Sequence, residues 1–435
     1  MAAIQPSLST VAARFEPDLQ LARIKTIAFH SLVFLVAFLI LFSRRPDAIL
    51  NAQFWAEDGK YWYADAYSLG WRCLLIPVGG YLNTVSRLIG LATLLFPLAV
   101  APLIMSLCAI FVHILPIHVF LSSRFSAIPF KIRLIGSLLY LTLPNCYELH
   151  ANTTNLQWHL SLVGCLILFG RPENGWGWRV FDSLILASAT LAGVLGIFLF
   201  PLAASLRWLR HDSRYNRFLI ALLPGSLLQC LVMLISNSRP SAPNGATLPR
   251  LIGIVGGQVF YAPVLSMKSL LLLYLFADRR TFFSIEVAAL ALGLPIVIYA
   301  LLRGPKDLKV FLIFAAALLV LALRNPLVIP TSSSPQWELM QFPGLGNRYY
   351  FFPMLAFLAS VIWLWTGPGR ARFTRYYALA ILALLPIGIY RDWQHPQYKE
   401  FHFQEFAAEF ERAAPGTRMT IPINPTGWQM VLVKR

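Results

Sequence analysis

Residues Thr26–Phe42 read Thr-Ile-Ala-Phe-His-Ser-Leu-Val-Phe-Leu-Val-Ala-Phe-Leu-Ile-Leu-Phe, a run without a single formal charge. As a helix it rises about 26 Å, close to the thickness of a bilayer's hydrocarbon. Arg14, Arg23 and Lys25 precede it and Arg44-Arg45 follow it. The basic front end puts the N-terminus inside, so the loop from Arg44 to Arg87 emerges outside. No cleavage pattern follows the run, so it is expected to be retained. Comparable blocks recur near 88–122, 131–144, 156–170, 180–206, 218–236, 251–277, 281–302, 308–329, 350–366 and 376–390. The block 88–122 is too long for one crossing and is expected to break at Pro97 or Pro102; 180–206 folds back near Gly193 and Gly196. The expected fold is therefore an all-α polytopic membrane protein with about 11–13 transmembrane helices.

Composition agrees with that reading. Of 435 residues, 57% are apolar and only 13% are charged, with a mean hydropathy of +0.63. A soluble globule or a disordered chain would carry far more charge. The net charge of +17 does not point to nucleic acid, because basic residues cluster beside the spans. Arg44-Arg45, Arg207-x-x-Arg210, Arg279-Arg280 and Arg370-x-Arg372 read as interfacial anchors or inside-loop signals. Five cysteines form no CxxC pair, which argues against a disulfide framework or a structural metal.

The chain divides into a membrane domain, 1–390, which includes the acidic first external loop 44–87, and a small external α/β extension, 391–435. In the extension Phe403, Phe406 and Phe410 repeat on one face of a helix over Lys399–Arg412, which Pro415-Gly416 ends. Trp428-Gln-Met-Val-Leu-Val reads as a strand. Positive-inside logic brings the acidic loop, the segment around Arg348 and this tail to one face of the membrane.

Three polar islands need an explanation. Phe54-Trp55-Ala56-Glu57-Asp58-Gly59, followed by Tyr61-Trp62-Tyr63 and Asp65, sets two adjacent carboxylates among aromatics at a membrane boundary. Such acids suit work on a sugar hydroxyl or the holding of a divalent ion. Neighbours on a helix point about 100° apart, so Glu57 and Asp58 have different jobs. Pro144–His150, with Asn152, Asn155, Gln157, Trp158 and His159, offers amides for hydroxyl-rich ligands and an indole for a sugar's apolar face. Asn152-Thr-Thr also matches a glycosylation acceptor. Gly344-Leu-Gly-Asn347-Arg348-Tyr349-Tyr350 places an arginine fork at a helix entrance, suited to a lipid phosphate or pyrophosphate. Lys268, inside an apolar stretch, is a second phosphate candidate. His113 and His118 read as satisfied interior histidines. There is no nucleotide-binding loop and no nucleophile elbow.

Phe54–Gly59, Gly79-Gly80-Tyr81-Leu82, Arg87-Leu88, Asn155–His159, Gly346–Pro353 and Ile421–Trp428 together resemble a bacterial group in the GT-C superfamily of multi-pass glycosyltransferases. The resemblance implies a GT-C-like fold in the bacterial cytoplasmic (inner) membrane, with the active site facing the periplasm or exterior. It implies an inverting transfer from a polyprenyl-phosphate sugar donor to a glycan or lipid acceptor of the envelope. Asp58 best matches the acid of the first external loop, with Glu57 as the competing base. Arg348 and Lys268 become donor-phosphate contacts. Trp55, Tyr61, Asn155, Gln157, Trp158, His159 and Tyr349 become sugar or acceptor contacts. The separated Asp-x-Asp of some relatives is missing. A Mg2+ or Mn2+ ion stays an open alternative, with Asp58, His150 and His159 as its candidate ligands. Expected partners are the lipid-linked donor, the acceptor and membrane lipids, with no nucleic acid. The competing reading is a polyprenyl-linked glycan transporter or flippase, whose charges would line a through-path instead of gathering on one face.

Overall fold

Apolar runs of membrane length satisfy their own backbone as helices, and a computed structural model of the chain is built mainly from them. It describes residues 8–173, 175–236, 242–329, 332–367 and 369–435, with side chains from residue 24 onward. Among these, seven helices are long and apolar enough to cross a membrane: Ile24–Arg44, Leu98–Leu121, Tyr215–Ile235, Leu248–Leu265, Arg279–Arg303, Asn347–Thr366 and Arg372–Arg391. Leu156–Phe169 and Met267–Phe276 are shorter apolar helices. Phe130–Leu141, Trp176–Leu191, Leu199–Arg210 and Lys306–Arg324 complete the bundle. The expected eleven to thirteen crossings include such short and interrupted pieces; among the described residues seven helices meet both the length and the apolarity of a full crossing.

The interruptions fall where the chain chemistry demands them. The 88–122 block becomes a helix Thr84–Thr93, a 3-10 turn Leu98–Val100 after Pro97, and a helix Ala101–Leu121 with Pro102 in its first turn. The 180–206 block stops after Leu191 and turns at Gly193, where a Cβ would lie 2.1 Å from Gln157 Oε1. The Gly193 φ of 155° suits glycine, and a side chain there would also displace the amide of Gln157.

The main apolar core joins the first span to Leu98–Leu121, Leu156–Phe169 and Asn347–Thr366. A second cluster lies at one end of the bundle, where Phe403, Phe410, Ile421 and Leu432 of the tail close over Phe54 and Trp62. The tail is the amphipathic helix Phe403–Arg412, its Phe403, Ala407 and Phe410 face buried, followed by antiparallel strands Arg418–Ile423 and Trp428–Val433. The second of these is the strand read from the sequence; its partner was not anticipated. Asn424 N donates to Phe54 O at 3.0 Å and Ala56 N donates to Asn424 O, so the tail grips the acidic loop through backbone.

Two arginines expected at the interface are inside. Arg44 and Arg45 are 1% and 2% exposed. The Arg44 guanidinium is spent on carbonyls: Leu141 at 2.7 Å, Leu143 at 3.0 Å, and Asp392 and Trp393 at 3.4 Å. It pins the end of the first span to two distant loops and anchors no lipid headgroup.

The acidic loop continues as a π-helix, Asp58–Tyr63. Its widened turn brings the Trp62 carbonyl against the helix Thr84–Thr93 at Gly90, where a Cβ would sit 2.4 Å from Trp62 O. Gly90→Ala is therefore expected to cost about 1–3 kcal/mol through forced displacement of backbone. A lower melting temperature of the detergent-extracted protein checks this, and an unchanged one refutes the close packing.

Candidate functional site

Ala56 adopts φ 38°, a left-handed backbone that an L-residue takes at a cost. The tail's Asn424 carbonyl, accepting from Ala56 N, holds it there. The chain enters Glu57 through this kink, and Glu57 and Asp58 then share the Thr154 side chain but differ in their other partners.

Asp58 turns inward and is 3% exposed. Its Oδ1 accepts from Thr154 N (2.8 Å), Thr154 Oγ1 (2.7 Å) and Thr153 Oγ1 (2.8 Å), and its Oδ2 from Thr153 N (2.9 Å). Burial pushes its carboxyl up to about 6 while the threonine donors pull it back. Four donors on one carboxylate leave little room for a further proton acceptor's job. Asp58 acts as the clasp between the acidic loop and the segment 152–155.

Glu57 is half-buried. Burial raises its carboxyl above the ordinary 4.5; its own backbone N–H, then Arg348 and the Thr154 hydroxyl pull it back, with Glu148 opposing them. Glu148 is the direct partner of Arg348: Nη1 lies 3.1 Å from Glu148 Oε2. The loop Gly344–Arg348 wraps this carboxylate, with Gly346 N donating to Oε1 at 3.3 Å and Arg348 N to Oε2 at 3.4 Å. The wrap needs left-handed turns at Gly344 (φ 92°) and Gly346 (φ 62°), which glycine supplies without strain. The remaining end of the guanidinium, Nη2, donates to Leu327 O at 2.7 Å.

Tyr81 completes the group. Burial raises its phenol, Gln157 bonds it, and Arg348 and Glu57 both act on it electrostatically. Around this centre several buried polar atoms find no protein partner: Gln157 Oε1, Trp158 Nε1, and both side-chain ends of Asn347. Buried donors and acceptors of both kinds beside a carboxylate–arginine pair match a hydroxyl-rich ligand.

The other expected site residues have more local duties. Asn155 Nδ2 donates to Glu148 O at 2.8 Å, steadying the loop that carries Glu148. Trp158 is buried and packs edge-on against Tyr349, ring centroids 6.2 Å apart. Tyr349 lies under Arg348, and its hydroxyl exchanges hydrogen bonds of 3.1 Å with Leu327 N and O. Trp55 stacks on Tyr398 at 5.6 Å, and Tyr61 is half-buried beneath the Lys60 ammonium. Lys268 Nζ donates to Gln394 O at 2.7 Å.

The metal set does not come together. His159 is 2% exposed, with Nδ1 on Tyr140 Oη at 2.8 Å and Nε2 on Leu149 O at 3.0 Å, and stacks on His113 at 3.9 Å. Both its nitrogens are committed to the core, and Asp58 is committed to its threonines, so these residues fit neither an ion nor, for His159, a sugar. Among the described residues no group of three His, Cys, Asp or Glu side chains has the geometry to hold a metal. The Asn152-Thr-Thr acceptor reading also falls: Asn152 is buried, its Nδ2 donating to Glu148 O and His150 O.

Sequence reasoning placed Glu148, Tyr81, Thr153 and Thr154 in notable motifs without giving them a role. The signal for Glu148 was present, a lone acid among amides and aromatics. Nothing local marks Thr153-Thr154 as the holder of an acid 95 residues earlier.

No protein-family model and no curated protein matches the chain. Among solved structures it is similar to ArnT from Cupriavidus metallidurans in the apo state, at 13% identity and a TM-score of 0.43, over 84% of this chain and 76% of that one. ArnT bound to undecaprenyl phosphate gives 13% and 0.44 over the same shares. The Archaeoglobus fulgidus oligosaccharyltransferase in complex with Zn and sulfate gives 11% and 0.46, over 88% of this chain and 56% of that one. The chain thus spans a little over half the length of the oligosaccharyltransferase.

Proposed function

We propose that this membrane protein is an inverting glycosyltransferase that moves a sugar from a polyprenyl-phosphate donor to a hydroxyl of an envelope glycan or lipid. The carrying observation is Glu57: a half-buried carboxylate outside the backbone N–H grip that Thr153 and Thr154 keep on Asp58, beside the Glu148–Arg348 pair and the unpartnered Gln157, Trp158 and Asn347 atoms. The acceptor oxygen attacks the anomeric carbon from the face opposite the phosphate. A new C–O bond forms as the bond to the phosphate oxygen breaks, and that oxygen leaves with the electron pair. The hydroxyl proton passes to Glu57. Arg348 favours the ionised form of Glu57, and Asp58 fixes the loop that aims it. The bacterial inner membrane, with this face toward the periplasm or exterior, is the proposed location.

A base must be ionised to work. Because the Glu57 carboxyl is raised, activity is expected to fall on acidification at a pH above the ordinary 4.5 of a glutamate. The acid limb of kcat/KM measures this; a limb at or below 4.5 removes Glu57 from the role.

Mass spectrometry of lipids and glycans from cells with and without the gene tests the reading as a whole. The expected result is a glycan or lipid lacking one sugar, with accumulated polyprenyl-phosphate sugar, both restored by the wild-type chain. Movement of labelled lipid-linked sugar across the membrane without any new glycosidic bond makes the protein a transporter instead.

A further inference from the structure

The tail closes over the acidic loop and leaves a gap. A cavity of about 320 Å³ stays open there, within the size range of small-molecule sites. Tyr63 and Tyr67 of the acidic loop form one side, and the tail's Phe410, Glu411, Lys434 and Arg435 form the other. The chain just before the span Leu98–Leu121 supplies the third wall. No residue of the Glu57 site lines it.

The walls are aromatic and the charges are unspent. Tyr63 and Tyr67 stack at 6.4 Å, and Phe410 meets Tyr67 edge-on at 5.7 Å. Tyr63 is buried, yet its hydroxyl enters no hydrogen bond among the described residues, while Tyr67 and Glu411 both act on it electrostatically. The Arg435 guanidinium rests 5.1 Å from the Tyr67 ring centroid and meets no carboxylate. Lys434 Nζ gives one N–H to Glu411 O at 2.9 Å, which leaves two. Glu411 Oε1 accepts from Leu98 N at 3.2 Å, which leaves Oε2. Two cations and a carboxylate thus line one cavity, and among the described residues no ion pair joins them. A simple anion entering here would meet Glu411, and a simple cation would meet Lys434 and Arg435. A ligand that carries both signs satisfies all three.

The location narrows the choice further. Leu95 and Phe96, beside the cavity, are exposed apolar residues, and a membrane span begins at its wall. The cavity therefore lies where the chain enters the bilayer, the level at which headgroups and tyrosines gather. Its volume suits a headgroup with its glycerol, and acyl chains can leave past Leu95 and Phe96 into the hydrocarbon.

We infer that this cavity seats the zwitterionic headgroup of a bilayer phospholipid, its phosphate on Arg435 and Lys434 and its primary ammonium on Glu411 and the Tyr63 hydroxyl. The lipid is neither donor nor acceptor of a sugar, so the inference stands apart from the glycosyl-transfer reading. It ties the tail to the acidic loop, whose Ala56 kink the tail's Asn424 holds. A ligand that binds only the docked tail stabilises the docked state.

The full chain, stripped of lipid in detergent, is titrated with short-chain phosphatidylethanolamine, phosphatidylcholine and phosphatidylglycerol. Native mass spectrometry reads binding, and melting temperature reads stabilisation. The ethanolamine lipid is expected to bind tightest and to raise the melting temperature most. The choline lipid, whose ammonium has no N–H, and the glycerol lipid, which has no cation, are expected to bind about tenfold more weakly. Glu411→Gln keeps an oxygen for Leu98 N and is expected to abolish the preference for ethanolamine over choline. Arg435→Gln is expected to weaken all three lipids by about tenfold. Both residues are exposed, so both variants are expected to melt near wild type without lipid. Should either melt early, Tyr63→Phe removes a hydroxyl that bonds nothing in the chain and is expected to weaken the ethanolamine lipid alone. Equal binding of the three lipids by wild type, or a preference that survives in both Glu411→Gln and Arg435→Gln, overturns the seat. Tightest binding of phosphatidylglycerol, lost in Arg435→Gln and kept in Glu411→Gln, makes it an anion site and overturns the zwitterion. Stabilisation by soluble phosphoethanolamine but by none of the lipids overturns the lipid.

Discussion

Glu57→Gln is expected to lower turnover by about 10²–10⁴-fold, the usual contribution of a positioned general base, while the protein melts as wild type does. Glutamine keeps the size and most of the polarity of the side chain, and its amide oxygen can still meet the Thr154 hydroxyl that Glu57 meets. Asp58→Asn is expected to behave in the opposite way. Both carboxylate oxygens of Asp58 accept a backbone N–H, from Thr153 and from Thr154. An asparagine can accept only one of them and turns its amide nitrogen toward the other, leaving a buried donor facing a donor. That costs about 1–3 kcal/mol, seen as a lower melting temperature, while turnover per folded molecule falls far less than in Glu57→Gln. The two variants separate the base from its support with one assay and one melt. Normal stability with abolished turnover in Asp58→Asn, beside an active Glu57→Gln, would reverse the assignment.

That ambiguity shows where local sequence stops being informative. The spans were legible because twenty apolar residues admit only one inexpensive state in lipid, and Pro97 and Gly193 marked breaks that backbone chemistry enforces. The tail helix was legible from three phenylalanines on one face. Charge distribution pointed to one shared face for the acidic loop and the Arg348 segment, with Asp58 as the acid expected beside Arg348; the carboxylate that feels Arg348 is Glu57. The division of labour between Glu57 and Asp58 was not recorded in this way. It depends on a left-handed Ala56 held by Asn424, more than 360 residues away, and on two threonines in another loop. Arg44 and Arg45 make the same point within one dipeptide. Identical chemistry and near-identical burial end in one guanidinium bonded to four carbonyls and another with none. His159 looked like a ligand because a histidine in a polar island often is one; the Tyr140 hydroxyl and Leu149 carbonyl that consume it arrive only with tertiary structure.

Arg348→Met is expected to fail twice, and a second substitution should repair only one failure. Removing the guanidinium strands Glu148, whose side chain is 12% exposed, with only the weak backbone donors of Gly346 and Arg348 left to it. Breaking a mostly buried pair from one side costs about 3 kcal/mol, so the single variant melts early. It also removes the positive charge that holds the Glu57 carboxyl down against burial. In Arg348→Met/Glu148→Gln the stranded charge is gone, and stability is expected to return close to wild type. Glu148 itself disfavours ionised Glu57, so its neutralisation offsets part of the loss, but Arg348 is the larger of the two influences on that carboxyl. The acid limb of kcat/KM in the double variant is therefore expected to sit at higher pH than in wild type. The sign follows from the base: a higher carboxyl pKa means less ionised Glu57 at any given pH and a later rise of activity with pH. Glu148→Gln alone provides the opposite displacement, with the limb moving down because a repelling charge has been removed and Arg348 remains. A purely structural Arg348 predicts that the repaired double variant regains the wild-type pH profile along with its stability, and that outcome would remove Arg348 from the chemistry.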